Sequence, residues 1–228
     1  MLDVLASPLV GICIGLGTYW VGLQVKKYTS SPLLNPLIIA TALTILLIQL
    51  TPLTLDQYQV GGNFIIAFMT PAMATLAMQM YKYKQVLQTN FWPIVIGCLA
   101  GSIMAMGSVY LLCYLLIDDL RLMISLLPKS VTSPVALSLA ELYGGIGAIA
   151  MAGVLFTGIF SAVLTPFLIK LCRLKDPVAI GAAFGTSGHV LGTTKAIEMG
   201  PVEGAISGIA IGITGLWTSI LFLVLFSG

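Results

Sequence analysis

Long apolar runs, interrupted twice by short polar stretches, set the pattern of this chain. A helix that crosses a bilayer needs about 20 predominantly apolar residues. Six stretches approach that length: Val4–Val25, Leu34–Leu50, Phe64–Met80, Phe91–Ile117, Ile146–Leu171 and Val202–Phe226. The third holds Thr70-Pro71, where a missing backbone donor invites a kink. Two further stretches differ. Asp119–Tyr143 carries Pro128-Lys129-Ser130-Val131-Thr132-Ser133-Pro134 at its centre, and Asp176–Met199 carries Gly185-Thr186-Ser187-Gly188-His189. Each flank is only about ten residues, or ~15 Å of helix, half a bilayer. Both read as half-helix, polar break, half-helix. Irregular backbone survives at membrane depth only where protein or water satisfies its polar groups.

The two interrupted stretches resemble each other at an offset of 57 residues. Lys129-Ser130 falls on Thr186-Ser187, Thr132 on His189, Glu141 on Glu198, and Gly147-Ala148-Ile149 on Gly204-Ala205-Ile206. Thr157-Gly158 falls on Thr214-Gly215, and Ser161 on Thr218. A fainter echo of Ser133–Ala140 lies at Thr70–Ala77. Each clear unit is a broken segment followed by a Gly-rich helix. Interrupted segments at matching places in two repeats point to a transport site near the midplane. Small residues also allow close helix packing, so repetition alone is compatible with architecture.

Composition turns this pattern into a class. Of 228 residues, 58% are hydrophobic and 8% charged. Soluble domains carry about 25% charged residues, so lipid must cover most of this chain. The expected fold is an all-α polytopic membrane protein, with about six full spans and two interrupted or re-entrant segments in a repeated, inverted unit. It forms a single transmembrane domain over residues 1–228, with N-terminal helices in 1–117 and the repeats in 119–172 and 176–228. The net charge of +2 and the scattered basic residues give no nucleic-acid signature. Cys13, Cys98, Cys113 and Cys172 lie far apart in or beside apolar runs and read as small hydrophobes, with neither disulfide nor metal assigned. One histidine and no nucleotide-binding Gly-Lys-Ser/Thr loop speak against an enzyme, a resident cofactor and an ATP-driven pump. The N-terminus lacks a basic n-region and a cleavage site, so the first run reads as a retained helix in a bacterial plasma membrane.

Loop charges give an orientation. Lys26-Lys27, Lys82 and Lys84, and Lys170, Arg173 and Lys175 follow the first, third and Ile146 helices, whereas Asp56 and Asp118-Asp119 occupy other loops. With the basic loops in the cytoplasm, Asp119–Tyr143 starts and ends outside as a re-entrant hairpin. Asp176–Met199 is then a hairpin from the cytoplasmic side or a broken crossing.

Ionisable groups inside a membrane protein are costly and usually functional. Lys129 in the first break suits a small organic anion; the plainer alternative is a lysine snorkelling to the interface. Ser130, Thr132 and Ser133 add donors ahead of a half-helix whose N-terminal amides attract anions, and simple capping by Ser133 fits equally. His189 could contact substrate, carry a proton or be structural. Thr193 and Lys195 follow it. Lys195 is a second anion contact or a partner for Glu198 at i+3. Packing is the default for Thr157, Ser161 and Thr214.

At these residues the chain resembles the LrgB/CidB family of antiholin-like proteins, over essentially its whole length. The strongest match is Leu127-Pro128-Lys129-Ser130-Val131-Thr132-Ser133-Pro134-Val135-Ala136, where the family usually has threonine at Ser133. The second is Gly188-His189-Val190-Leu191-Gly192-Thr193-Thr194-Lys195-Ala196, where it usually has serine at Gly188 and arginine at Lys195. Losing the guanidinium removes bidentate recognition of a carboxylate there. Glu203-Gly204-Ala205, Asn35-Pro36-Leu37 and Gly61-Gly62 fit as well. The resemblance implies control of murein hydrolase activity and autolysis with a small holin-like partner of the LrgA/CidA type. It also implies transport of monocarboxylates such as pyruvate, glycolate and glycerate. A chain this short is further expected to need that partner or a second copy, as a homodimer, to shield its breaks.

Overall fold

The structure is a computed structural model that describes residues 7–28, 36–68, 78, 81–117 and 119–226. The chain divides into two compact units, Met1–Thr75 and Leu76–Gly228.

The first unit holds α1 (Pro8–Tyr28), α2 (Pro36–Leu50) and α3 (Leu55–Ala67), with α1 packed on both others. Helices α1 and α3 meet backbone to backbone: a Cβ on Gly11 would lie 2.6 Å from the Tyr58 carbonyl. Thr18 and Thr44 join α1 to α2 through hydroxyls 3.1 Å apart. The expected third span, Phe64–Met80, is corrected in its described part. Helix starts at Leu55, because Thr54 and Gln57 form a reciprocal capping box in a polar stretch that hydropathy passes over. The rest of that span, with Thr70-Pro71 and the faint echo, lies outside the described residues.

The second unit holds α4 (Lys84–Thr89), α5 (Phe91–Leu116), α6 (Leu120–Leu126), α7 (Ser133–Leu142), α8 (Gly147–Leu171), α9 (Pro177–Met199) and α10 (Pro201–Phe226). Among the described residues, α1, α5, α8 and α10 are long and apolar enough to cross a membrane. Their outward faces carry large apolar side chains such as Leu111, Leu115, Phe167, Leu223 and Val224.

The first interrupted stretch forms two short helices, as its proline-flanked polar centre predicts. Asp119 caps α6 by accepting from the Arg121 and Leu122 amides at 2.8 and 3.2 Å. Turns replace helix between Leu127 and Thr132, and Ser133-Pro134 opens α7. Gly144, at φ 82°, ends α7, and the Gly145 amide donates back to the Ala140 carbonyl at 2.7 Å. The chain thereby returns onto α6, where the Ile146 amide donates to Ser125 Oγ at 2.6 Å.

The second interrupted stretch sharpens its expectation. Gly185–Gly188 are helical, and the break is one residue, His189, at φ 39° and ψ −129°. The reversal there is nevertheless tight. A Cβ on Gly192 would sit 2.5 Å from the Phe184 carbonyl, whereas eight residues of straight helix span ~12 Å. Ala196 shares a buried cluster with Ile180 and Phe184. Helix α9 thus has two halves, 177–188 and 190–199, folded against each other. Ile169, near the end of α8, joins the same cluster. At the opposite end, Phe222 and Phe226 of α10 each pack 5.6 Å from Tyr143, just beyond α7.

Candidate functional site

A cleft of about 1010 Å³ lies in the second unit between α5 and α8, with the first half of α9 along its floor. It runs from Asn90, Cys172 and Asp176 at one end to Ala105, Lys129 and Ser130 at the other. Along α8 it spans Phe156 to Cys172, or ~24 Å.

The first break delivers the charge. Leu127, Pro128 and Val131 are buried and anchor the turn, which is held by Lys129 N–H to the Leu126 carbonyl and Val131 N–H to the Pro128 carbonyl. Their burial leaves the Lys129 side chain directed to the cleft. Its Nζ donates to Ser130 Oγ at 3.2 Å, and Ser130 is only 6% exposed. Lys129 Cβ lies beside Gly153, six residues into α8, ~9 Å from that helix's start. This depth differs from that of a lysine reaching an interface at a helix end.

Thr132 is the N-cap residue of α7 and Ser133 its first residue. Both are half-buried, and neither lines the cleft. No side chain caps this N-terminus, so its positive end stands one turn from Ser130. His189 is 4% exposed and lies behind the cleft rather than on its lining. Its ring packs against Gly158 and the Val154 carbonyl and interacts electrostatically with Lys129. Its Nε2 has no hydrogen-bond partner among the described residues. Thr193 is placed elsewhere: its hydroxyl lies 2.6 Å from Ser207 Oγ, buried between α9 and α10. Lys195 pairs with Glu198 at 2.5 Å on a partly exposed face. The structure therefore brings Lys129 and Ser130 together in the cleft, with His189 near them, and leaves Thr193 and Lys195 outside it.

From the sequence, Thr157 and Ser161 are given to helix packing, which the Ser161–Ser187 bond between α8 and α9 fits, and Thr165 is given no role. Thr157, Ser161 and Thr165 all line the cleft from α8, and Thr186 and Ser187 do so from α9. Ser161 Oγ lies 2.7 Å from Ser187 Oγ and 3.0 Å from Thr165 Oγ1. The available signal is the spacing of four in Thr157, Ser161 and Thr165, which sets three hydroxyls on one face of an otherwise apolar helix.

The LrgB-like family matches residues 15–227. This chain belongs to the LrgB family. It is 34% identical over 216 residues to the antiholin-like protein LrgB of Bacillus mycoides, covering 94% of each chain. The proteins of the same name from Bacillus cereus and Bacillus anthracis are each 33% identical over the same length and coverage. No solved structure matches. The LrgB match takes in both interrupted stretches and every cleft-lining residue, so the cleft belongs to the family region of this membrane protein.

Proposed function

We propose that this LrgB-family chain is a multi-pass protein of the bacterial plasma membrane, not an enzyme, that carries small organic monocarboxylates of the pyruvate, glycolate and glycerate class by a secondary mechanism. One observation carries the reading: a lysine and a buried serine from an interrupted segment end a largely apolar cleft that carries hydroxyls along its wall. The ammonium supplies counter-charge, Ser130 a donor, and the nearby positive end of α7 a further attraction for an anion. Two folded-back segments, one after α5 and one after α8, support an inverted pair of re-entrant hairpins. Helix α8 ends beside the start of α9, and α10 ends beside the end of α7, which supports opposite senses for the two repeats. Non-helical backbone at paired positions is the arrangement expected around a midplane site. A small holin-like membrane protein and a second copy of this chain are the expected partners.

Uptake of labelled pyruvate into proteoliposomes tests the assignment. Replacing Lys129→Ala removes a charge-assisted contact of about 2–3 kcal/mol. Uptake should fall on the order of 100-fold, while insertion and detergent-extracted monodispersity stay unchanged. Undiminished uptake by a correctly inserted variant would refute Lys129 as the anion contact.

The second reading is a non-transporting antiholin-like regulator or pore component that controls murein hydrolase activity and autolysis. The antiholin-like name of the relatives favours it and speaks to it more directly than to transport. Saturable counterflow of labelled substrate belongs to the first reading only, and nonselective leakage to the second.

A further inference from the structure

Six hydroxyls line the cleft, and five of them are engaged within the protein. Ser130 accepts from Lys129 Nζ at 3.2 Å. Ser161 Oγ lies 2.7 Å from Ser187 Oγ and 3.0 Å from Thr165 Oγ1. Thr186 donates to Cys98 Sγ at 3.5 Å and lies 3.4 Å from Thr214 Oγ1. The sixth is Thr157, half-buried on α8. Its hydroxyl has no hydrogen-bond partner among the described residues. A threonine inside a helix commonly donates to the carbonyl one turn back, as Thr18 and Thr194 do here. Thr157 instead keeps its proton and its lone pairs for the cleft.

This free hydroxyl is also the one on α8 set beside the ammonium. A Cβ on Gly153 would lie 3.4 Å from Lys129 Cβ, and Thr157 stands one turn further along the same face of α8, ~6 Å on. Along α8 the cleft begins at Phe156, so the Lys129 stem runs from Gly153 toward Phe156 and Thr157 to reach it. The engaged hydroxyls of Ser161 and Thr165 stand one and two turns beyond. Ala105 and Phe156, the other neighbours at this end, are apolar and offer an oxygen nothing. An anion whose carboxylate is held by Lys129 and Ser130 therefore meets one further hydrogen-bonding group at its second carbon, and that group is Thr157.

We infer that Thr157 binds the oxygen on the carbon next to the carboxylate, and so selects 2-oxo and 2-hydroxy monocarboxylates over unsubstituted acids of the same length. The inference deepens the transport reading above and rests on it. A hydroxyl donates to a ketone oxygen, and it donates to or accepts from an alcohol, so one residue serves both kinds of substrate. An unsubstituted acid brings a methyl or methylene to the same place and leaves the threonine without a partner. In a cleft that stays open on one side, the preference for the oxygenated acid should be on the order of tenfold.

Pairs of acids that differ by that one oxygen test the assignment. Labelled pyruvate counterflow is measured in proteoliposomes holding the full chain, with unlabelled glycolate or acetate, and lactate or propionate, as competitors. All four are anions at neutral pH. For the parent, glycolate and lactate should inhibit at concentrations on the order of tenfold lower than acetate and propionate. Thr157→Val should weaken glycolate and lactate to the level of their partners while acetate and propionate stay as they were. Thr157→Ser, which restores a hydroxyl, should restore the preference. A valine variant that weakens all four competitors equally would make Thr157 a packing residue and overturn the inference. A parent that does not discriminate within the pairs, or a valine variant that keeps the preference, overturns it too, and in each of these cases transport stands. Absence of saturable pyruvate counterflow in the parent sinks the transport reading, and the selectivity assigned to Thr157 falls with it.

Discussion

The segment around Lys129 and the segment around His189 both fold back between long helices, and they do so by opposite means. Shifted by 57 residues, Ile124, Pro128, Val131 and Val135 of the first stand where Gly181, Gly185, Gly188 and Gly192 stand in the second. In the first, Ile124, Pro128 and Val131 are buried and fill the space around a turn that runs from Leu127 to Thr132. In the second, the glycines let backbone approach backbone. Gly185 rests on the Ser207 carbonyl of α10 and Gly192 on the Phe184 carbonyl of its own first half, and the reversal needs only His189. A turn wedged by side chains is roomy enough to aim a long cation into a cleft. A turn packed through glycines brings hydroxyls and carbonyls close and leaves little freedom. The first thus supplies charge, and the second supplies neutral oxygen.

The strongest test of this contrast is Gly185→Ala. A Cβ there would collide with the Ser207 carbonyl and with Ala210, and backbone has no rotamer to yield with. Overpacking of this kind costs about 3 kcal/mol. Unfolding of the detergent-solubilised variant should show that loss. Stability equal to the parent would mean that α9 and α10 are not in backbone contact, and the contrast would collapse.

His189 supplies the next test. A side chain at φ 39° and ψ −129° is strained by about 1–3 kcal/mol, and glycine relieves it. His189→Ala and His189→Gly lose the same ring contacts with Gly158 and Val154, but only glycine also loses the strain. The glycine variant should therefore be the more stable by about 1–2 kcal/mol, against the usual penalty for glycine. An alanine variant as stable as the glycine variant would argue for an ordinary helical bend at this residue.

Much of this arrangement was legible in the sequence where one signal dominates. Apolar length alone marks α1, α5, α8 and α10, and prolines on both sides of Lys129 mark the first break. The second break was placed too broadly because Gly, Thr and Ser read as helix-breaking signals in water. Here Gly185 and Gly188 stay helical because neighbouring helices reward their small size. The start of α3 was hidden by its polarity, since a capping box carries no hydropathy. The hydroxyl wall was hidden for a third reason. Ser161 and Thr165 face Ser187 across 26 and 22 residues of chain, and only the reversal at His189 shows which face of α9 they meet.

The same reversal decides Thr193, and with it the smallest expected effect. Grouping Thr193 with Lys129 follows from its closeness in sequence to His189. Past the turn, however, the second half of α9 presents Thr193 to α10, where its hydroxyl lies 2.6 Å from that of Ser207, both buried. Valine matches threonine in shape and loses only this bond. Interhelical hydrogen bonds in membranes average about 0.6 kcal/mol, less than a threefold change in any equilibrium. Thr193→Val should thus lower stability slightly and leave the KM for pyruvate within about threefold of the parent. Ser130→Ala, which removes the partner of Lys129 Nζ, should raise that KM on the order of tenfold. A KM raised as much by Thr193→Val as by Ser130→Ala would place both halves of α9 at the anion. The division between a charged first break and an oxygen-lined second one would then have to be given up.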